Sequence, residues 1–173
     1  MRALLMIAGF IASPLSAEVV HAEAHGFHVS QSVQLVVPPA QAMNAFTNVA
    51  GWWSKDHTYS GDAANLSLEA RPGGCFCERF PKGGGIEHLR VTYVQPGQQM
   101  ILTGALGPLL REAVTGVMDV SVAKVAGGSR LTLSYKATGF AGGDAQKFAP
   151  MVDAMLAEQV KRYRLFASGV GGR

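Results

Sequence analysis

The stretch DAQKFAPMVDAMLAEQVKRYRLFAS, Asp144 to Ser168, decides the fold. Phe148, Met151, Val152, Met155, Leu156, Val160, Tyr163 and Phe166 recur at steps of three and four residues, so they share one face of a helix with a 3.6-residue repeat. Asp153, Glu158, Lys161, Arg162 and Arg164 fall mostly on the opposite face. Asp144 is placed to cap the N-terminus and Gly169 to stop the helix. Pro150 either kinks the helix or marks the first turn of its main segment. Met151 and Met155 give the apolar face an adaptable surface. Most of the preceding chain reads as strands, so this helix is expected to cover the apolar face of a sheet and enclose a ligand cavity with it.

Working outward, Leu131, Leu133 and Tyr135 alternate with Thr132, Ser134 and Lys136, and Gly127-Gly128 joins that strand to Gly116–Val122 as a hairpin. Met118 lies on the apolar side of the earlier strand. Met100, Leu102, Gly104 and Leu106 mark another strand. Leu89, Val91 and Tyr93 alternate with His88, Arg90 and Thr92. Cys75 to Pro81 is a strand with Phe76, Glu78 and Phe80 on one side and Cys75, Cys77 and Arg79 on the other. Leu66, Leu68 and Ala70 share a face of a further short strand. Before them, Phe27 to Val37 reads as a first strand. Ala40 to Trp53 reads as a short amphipathic helix, with Met43, Phe46, Val49 and Trp53 at helical spacing. The order is strand, helix, about six strands in meander and a long helix.

The 173 residues suffice for one domain with a core; hydrophobic residues make up 48% and charged residues 16%. The net charge of +3 comes without any Lys/Arg run or interleaved aromatics, which argues against nucleic-acid binding. At the N-terminus, Met1-Arg2 followed by the apolar Ala3–Leu15 reads as a signal peptide. Residues 1–24 are assigned to it, with cleavage after Ala17, Ala22 or Ala24, and residues 25–173 to a single domain. A retained membrane anchor is the alternative. Export places the protein in the periplasm or outside the cell, with no membrane span after cleavage.

The ordered set of motifs resembles the START-like helix-grip superfamily, also called SRPBCC. Its bacterial polyketide cyclase/dehydrase-like and heat-shock-ATPase-activator-like members are the most similar. The residues that carry the resemblance are Val37-Pro38-Pro39-Ala40, Trp52-Trp53, Gly73-Gly74-Cys75-Phe76-Cys77-Glu78, Val94-Gln95-Pro96-Gly97-Gln98-Gln99, Gly104-Ala105-Leu106-Gly107-Pro108-Leu109 and Gly128-Ser129-Arg130-Leu131-Thr132. The resemblance spans roughly residues 27 to 168. It implies an α+β helix-grip fold, with an antiparallel sheet of about six to seven strands wrapped around the C-terminal helix and an apolar cavity between them. It implies no fixed catalytic residues, and export argues against a role with a cytosolic ATPase; no cofactor is expected.

The expected ligand is a small apolar molecule such as a lipid, isoprenoid or aromatic. Trp53, Phe76, Glu78, Tyr93, Leu106, Met118, Tyr135, Met151 and Met155 are its expected lining. An acid/base enzyme in the same cavity is the alternative. Glu78 would then act with Tyr93 or Tyr135, because a carboxylate among apolar groups acquires a raised pKa. An envelope interaction protein without ligand is a third reading. Cys75 and Cys77 admit three states. They are free thiols, or a disulfide that needs a bulge to bring residues two apart within reach, or part of a redox or metal site. A metal site needs more ligands, of which His88 on the outer strand face is one candidate, and none is assigned. Asp56-His57 with Tyr59, Ser60 and Asp62 reads as a polar loop at the cavity mouth rather than a hydrolase triad. His21, His25 and His28 are not assigned a metal.

Overall fold

The computed structural model describes residues 16–169, and the side chains of Ser16 and Ala17 are not among the described groups. The Ala3–Leu15 stretch lies outside the described residues. Eight strands form one sheet: β1 (Ser16–Glu23), β2 (Gly26–Leu35), β3 (Leu66–Leu68), β4 (Cys75–Arg79), β5 (Gly85–Gln95), β6 (Gln99–Thr103), β7 (Thr115–Val125) and β8 (Gly128–Thr138). They run antiparallel in the order β1-β2-β8-β7-β6-β5-β4-β3. Helix α1 (Pro39–Thr47) follows β2, and α2 (Ala145–Ala167) closes the chain.

The expected α+β helix-grip layout is the observed one, with one strand more than the six or seven anticipated. That strand is β1, drawn from the stretch assigned to the leader. It pairs with β2 from Ser16↔Ser32 to Glu23↔Gly26. The carbonyl of Ala24 accepts the amide of Ala145 at the start of α2, 3.1 Å away.

The core lies between the inner sheet face and α2. Val29, Val33, Leu131, Leu133, Met100, Leu102 and Val120 face it from the strands. Ala145, Ala149, Val152, Leu156, Val160, Tyr163 and Ala167 face it from α2, at the expected helical spacing. Pro150 sits inside α2, and the helix is continuous through it.

The first helix is shorter than the Ala40–Trp53 anticipated. It ends at Thr47, and Val49–Gly51 makes a single 3-10 turn, so the chain bends where the apolar spacing alone predicts more helix. The bend buries both tryptophans. The Trp52 indole donates to the Phe46 carbonyl (3.1 Å) and the Trp53 indole to the His57 carbonyl (2.9 Å). Phe46, Trp52, Trp53 and Tyr163 form a chain of ring contacts between α1 and α2. The Tyr163 hydroxyl donates to the Ala42 carbonyl at 2.9 Å, and burial raises its pKa well above the ordinary tyrosine value.

Candidate functional site

A cavity of about 660 Å³ opens between the N-terminal half of α2, the turn at Gly107–Glu112, the Trp53–Tyr59 loop and β5. Phe148, Met151, Val152 and Met155 line it from the helix, and Leu106, Pro108 and Leu109 from the turn. Trp53, Tyr59 and His88 close another side, and Asp56, His57 and Arg111 bring polar groups to it. A mostly apolar pocket with a few convergent polar groups is the usual form of a small-molecule site.

The loop wall is tied to α2 at three points. Gln159 Oε1 accepts the Ser54 amide (2.8 Å), Arg162 Nε donates to the Trp52 carbonyl (2.9 Å), and His57 meets Glu158 at 3.1 Å. The turn wall is held from below by Tyr135. Its hydroxyl accepts the Leu106 amide and donates to the Gly104 carbonyl, both at 3.1 Å. Burial pushes this phenol up to about 12, so it stays protonated and able to donate. Gly116 leaves the room this requires, since a Cβ there would lie 2.5 Å from the Tyr135 oxygen.

Behind the loop, Glu78 and His88 form a buried pair, Oε2 to Nε2 at 3.1 Å. Glu78 is 1% exposed and His88 5%. Glu78 Oε2 also accepts the Tyr59 amide at 3.1 Å, and Oε1 accepts the Ser60 amide. Burial pushes the Glu78 carboxyl up, but the hydrogen bonds from Ser60, the Tyr59 amide and His88 outweigh it and leave the pKa below the ordinary value. This reverses the raised pKa expected from apolar surroundings alone. Burial lowers the His88 pKa despite the attraction of Glu78. The pair is therefore a carboxylate receiving an N–H from a neutral imidazole, rather than two opposite charges. The imidazole packs against the rings of Phe76 (5.1 Å between centroids) and Tyr59 (6.0 Å), both tilted to it.

Two β-bulges on β5 explain which residues reach this site. Across β4, Phe76 pairs with Leu89 and Cys77 with Glu87, so His88 is the extra residue. Across β6, Val91 pairs with Leu102 and Tyr93 with Ile101, so Thr92 is extra. Each bulge switches the inward phase of the strand. His88, expected on the outer face with the cysteines, is turned inward beside Glu78. Tyr93, expected in the lining, is turned out and is 42% exposed. It therefore cannot partner Glu78 in acid/base work.

Of the other expected lining residues, Trp53, Leu106, Met151 and Met155 border the cavity, Met151 at its exposed rim. Phe76 and Glu78 stand one layer behind His88. Met118 and Tyr135 are buried in the core and do not border the cavity. The Asp56–Asp62 loop places Asp56, His57 and Tyr59 on the cavity, as expected of a polar mouth, while Ser60 and Asp62 lie off it.

Cys75 and Cys77 are joined as a disulfide. Their Cα atoms are 5.3 Å apart, closer than the roughly 6.6 Å of two flat strand steps, and the bridge sits at the first bulge. The Glu87 carboxylate lies within 4.8 Å of both sulfurs, but joined sulfurs supply no thiolates for a metal. His21, His25 and His28 do not converge. His28 bonds the Ser134 hydroxyl (2.7 Å), His25 the Phe140 carbonyl (2.7 Å), and His21 meets Glu23 (3.1 Å).

No family model matches the sequence, and no curated protein is significantly similar to it. Solved structures do share its fold. The Aha1 dimer from Colwellia psychrerythraea has a TM-score of 0.61 at 14% identity, over 84% of this chain and 98% of that one. CalU16 from Micromonospora echinospora has a TM-score of 0.58 at 9% identity, over 92% and 88%. A Rhodobacter sphaeroides protein has a TM-score of 0.58 at 15% identity, over 90% and 99%. At these identities the likeness establishes the helix-grip type of fold and leaves function to the site. No helix among the described residues is long and apolar enough to cross a membrane.

Proposed function

We propose that this chain is a START-like/SRPBCC protein that holds one small, mainly apolar molecule in the cavity between α2 and the sheet. The observation that carries this reading is the cavity itself. Its volume suits a molecule of two or three rings or a short lipid chain. Its walls are an aromatic, aliphatic and methionine surface fixed to α2 and to the Leu106–Leu109 turn. A ligand that removes roughly 200 Å² of apolar surface from water gains about 5 kcal/mol before ordering costs. The polar groups at the cavity's edge, Asp56, His57, Tyr59, His88 and Arg111, suffice to orient such a ligand.

An exported location supports the same reading: the Met1–Leu15 pattern is that of a leader, and a Cys75–Cys77 disulfide suits an oxidising compartment. A second reading, an acid/base enzyme of cyclase or dehydratase type, is favoured by one observation, the Glu78–His88 pair beside the cavity.

The test is fluorescence titration with N-phenyl-1-naphthylamine. The wild type should take up the dye with saturation at one site. Met155→Trp, which narrows the cavity, should weaken uptake without loss of cooperative unfolding. Equal uptake by both proteins would mean that the dye, and by extension an apolar ligand, sits elsewhere.

A further inference from the structure

Three buried side-chain atoms have no hydrogen-bonding partner among the described residues: Gln31 Oε1, Gln159 Nε2 and His88 Nδ1. Only His88 borders the cavity. An unpartnered buried polar atom is costly in a folded protein and calls for a partner. Here the identity of that partner follows from the proton on the other ring nitrogen.

Glu78 fixes that proton. Both carboxylate oxygens already accept backbone amides, so the carboxylate faces His88 purely as an acceptor. Nε2 must therefore carry the hydrogen. A neutral ring protonated at Nε2 has its lone pair on Nδ1. Glu78 holds Nε2, and the rings of Phe76 and Tyr59 pack against the imidazole and oppose a flip that would exchange the two nitrogens.

We infer that His88 Nδ1 is the polar anchor of the cavity and selects apolar ligands that bear a hydrogen-bond donor, such as a phenol, enol or alcohol. The ligand's O–H donates to Nδ1, and its apolar body lies against Trp53, Leu106, Leu109, Phe148 and Met155. Glu78 is the positioning residue that keeps the lone pair facing the ligand. The inference rests on the cavity being a ligand site and adds the chemistry by which it discriminates. A ligand whose only polar atom is an acceptor, such as an ether or ketone, leaves Nδ1 unpaired.

Calorimetric titration with 2-naphthol, 2-methoxynaphthalene and naphthalene tests this. The wild type should bind 2-naphthol about tenfold more tightly than either donor-free compound, the equivalent of one neutral hydrogen bond. Burial alone predicts the reverse order, because naphthol is the least apolar of the three. In His88→Leu the preference should vanish while naphthalene still binds. Equal wild-type affinities for all three would overturn the anchor and leave the cavity reading standing. Binding of none would overturn both. If His88→Leu does not fold, nitrogen NMR of the wild type decides: 2-naphthol should move the Nδ1 resonance and naphthalene should not. An unmoved Nδ1 in the naphthol complex would refute the inference.

Discussion

Replacing Glu78 by Gln keeps the shape of the side chain and removes one acceptor oxygen. The carboxylate receives three N–H groups, from Tyr59, Ser60 and His88, across its two oxygens. An amide has one oxygen and one NH2. With its oxygen toward Tyr59 and His88, the NH2 confronts the Ser60 amide. Turned the other way, it confronts the Tyr59 amide and the His88 N–H. Either orientation leaves at least one buried donor unpaired, at about 1–3 kcal/mol, and replaces charge-assisted hydrogen bonds by weaker ones. Relief of the buried charge offsets part of this, so a net loss of about 2–4 kcal/mol is expected. Urea unfolding at pH 7, followed by far-UV circular dichroism, reads it. With a slope of roughly 2 kcal/mol per molar urea, the midpoint should fall by about 1–2 M. A cooperative transition within about 0.2 M of the wild type would refute the reasoning, since it would mean that the carboxylate does not hold those donors.

Acid should weaken the fold in two stages. Below pH about 6.5 the unfolded chain protonates His88 while the folded chain, with its lowered pKa, does not; below about 4.5 the same holds for Glu78. Stability is then fully present above pH about 6.5 and is lost as pH falls through each folded pKa. His28, also lowered by burial, acts in the same sense, so the comparison is between wild type and His88→Leu, whose urea midpoint should change less between pH 7 and pH 5. Tyr135→Phe removes the hydroxyl that joins Leu106 to Gly104. It should cost about 1–3 kcal/mol in urea unfolding and weaken dye uptake by loosening the turn wall. Reducing the Cys75–Cys77 bridge, which closes only three residues, should lower stability by on the order of 1–2 kcal/mol in the same assay; no change would show that the bridge does not hold the β4–β5 bulge. In exported, processed protein the intact mass should place any leader cleavage after Ala17, because cuts after Ala22 or Ala24 would remove β1 from the edge of β2.

The long helix was legible because its repeat is sustained over six turns, and the observed Ala145–Ala167 lies one residue inside each end of the predicted span. The β7–β8 hairpin was legible for the same reason, an unbroken period of two across a Gly-Gly turn. β5 was not, because a period-two reading assumes that no residue is inserted. Two extra residues, His88 and Thr92, invert the face of everything beyond them, and so a period-two reading sets Tyr93 inward and His88 outward, the reverse of the structure. A signal for His88 did exist. Counting back from the hairpin closure Arg79↔Gly85 sets His88 across from Phe76, on the inner face with Glu78. The first helix was overextended because Val49 and Trp53 continue the apolar spacing although the backbone turns after Thr47. β1 was hidden by its neighbours, since an apolar N-terminal run reads as a leader whether or not its last residues also form a strand. The backbone amides that lower the Glu78 pKa come from a loop 18 and 19 residues earlier, and no local pattern announces them.

The measurement that bears most directly on the cavity is native mass spectrometry of the purified, processed protein, before and after incubation with N-phenyl-1-naphthylamine. The account predicts a one-to-one adduct, either with an apolar molecule carried through purification and released by solvent or with the added probe. An unliganded mass in both spectra would contradict it, and would leave the Trp53–Met155 cavity as a feature of packing with no occupant.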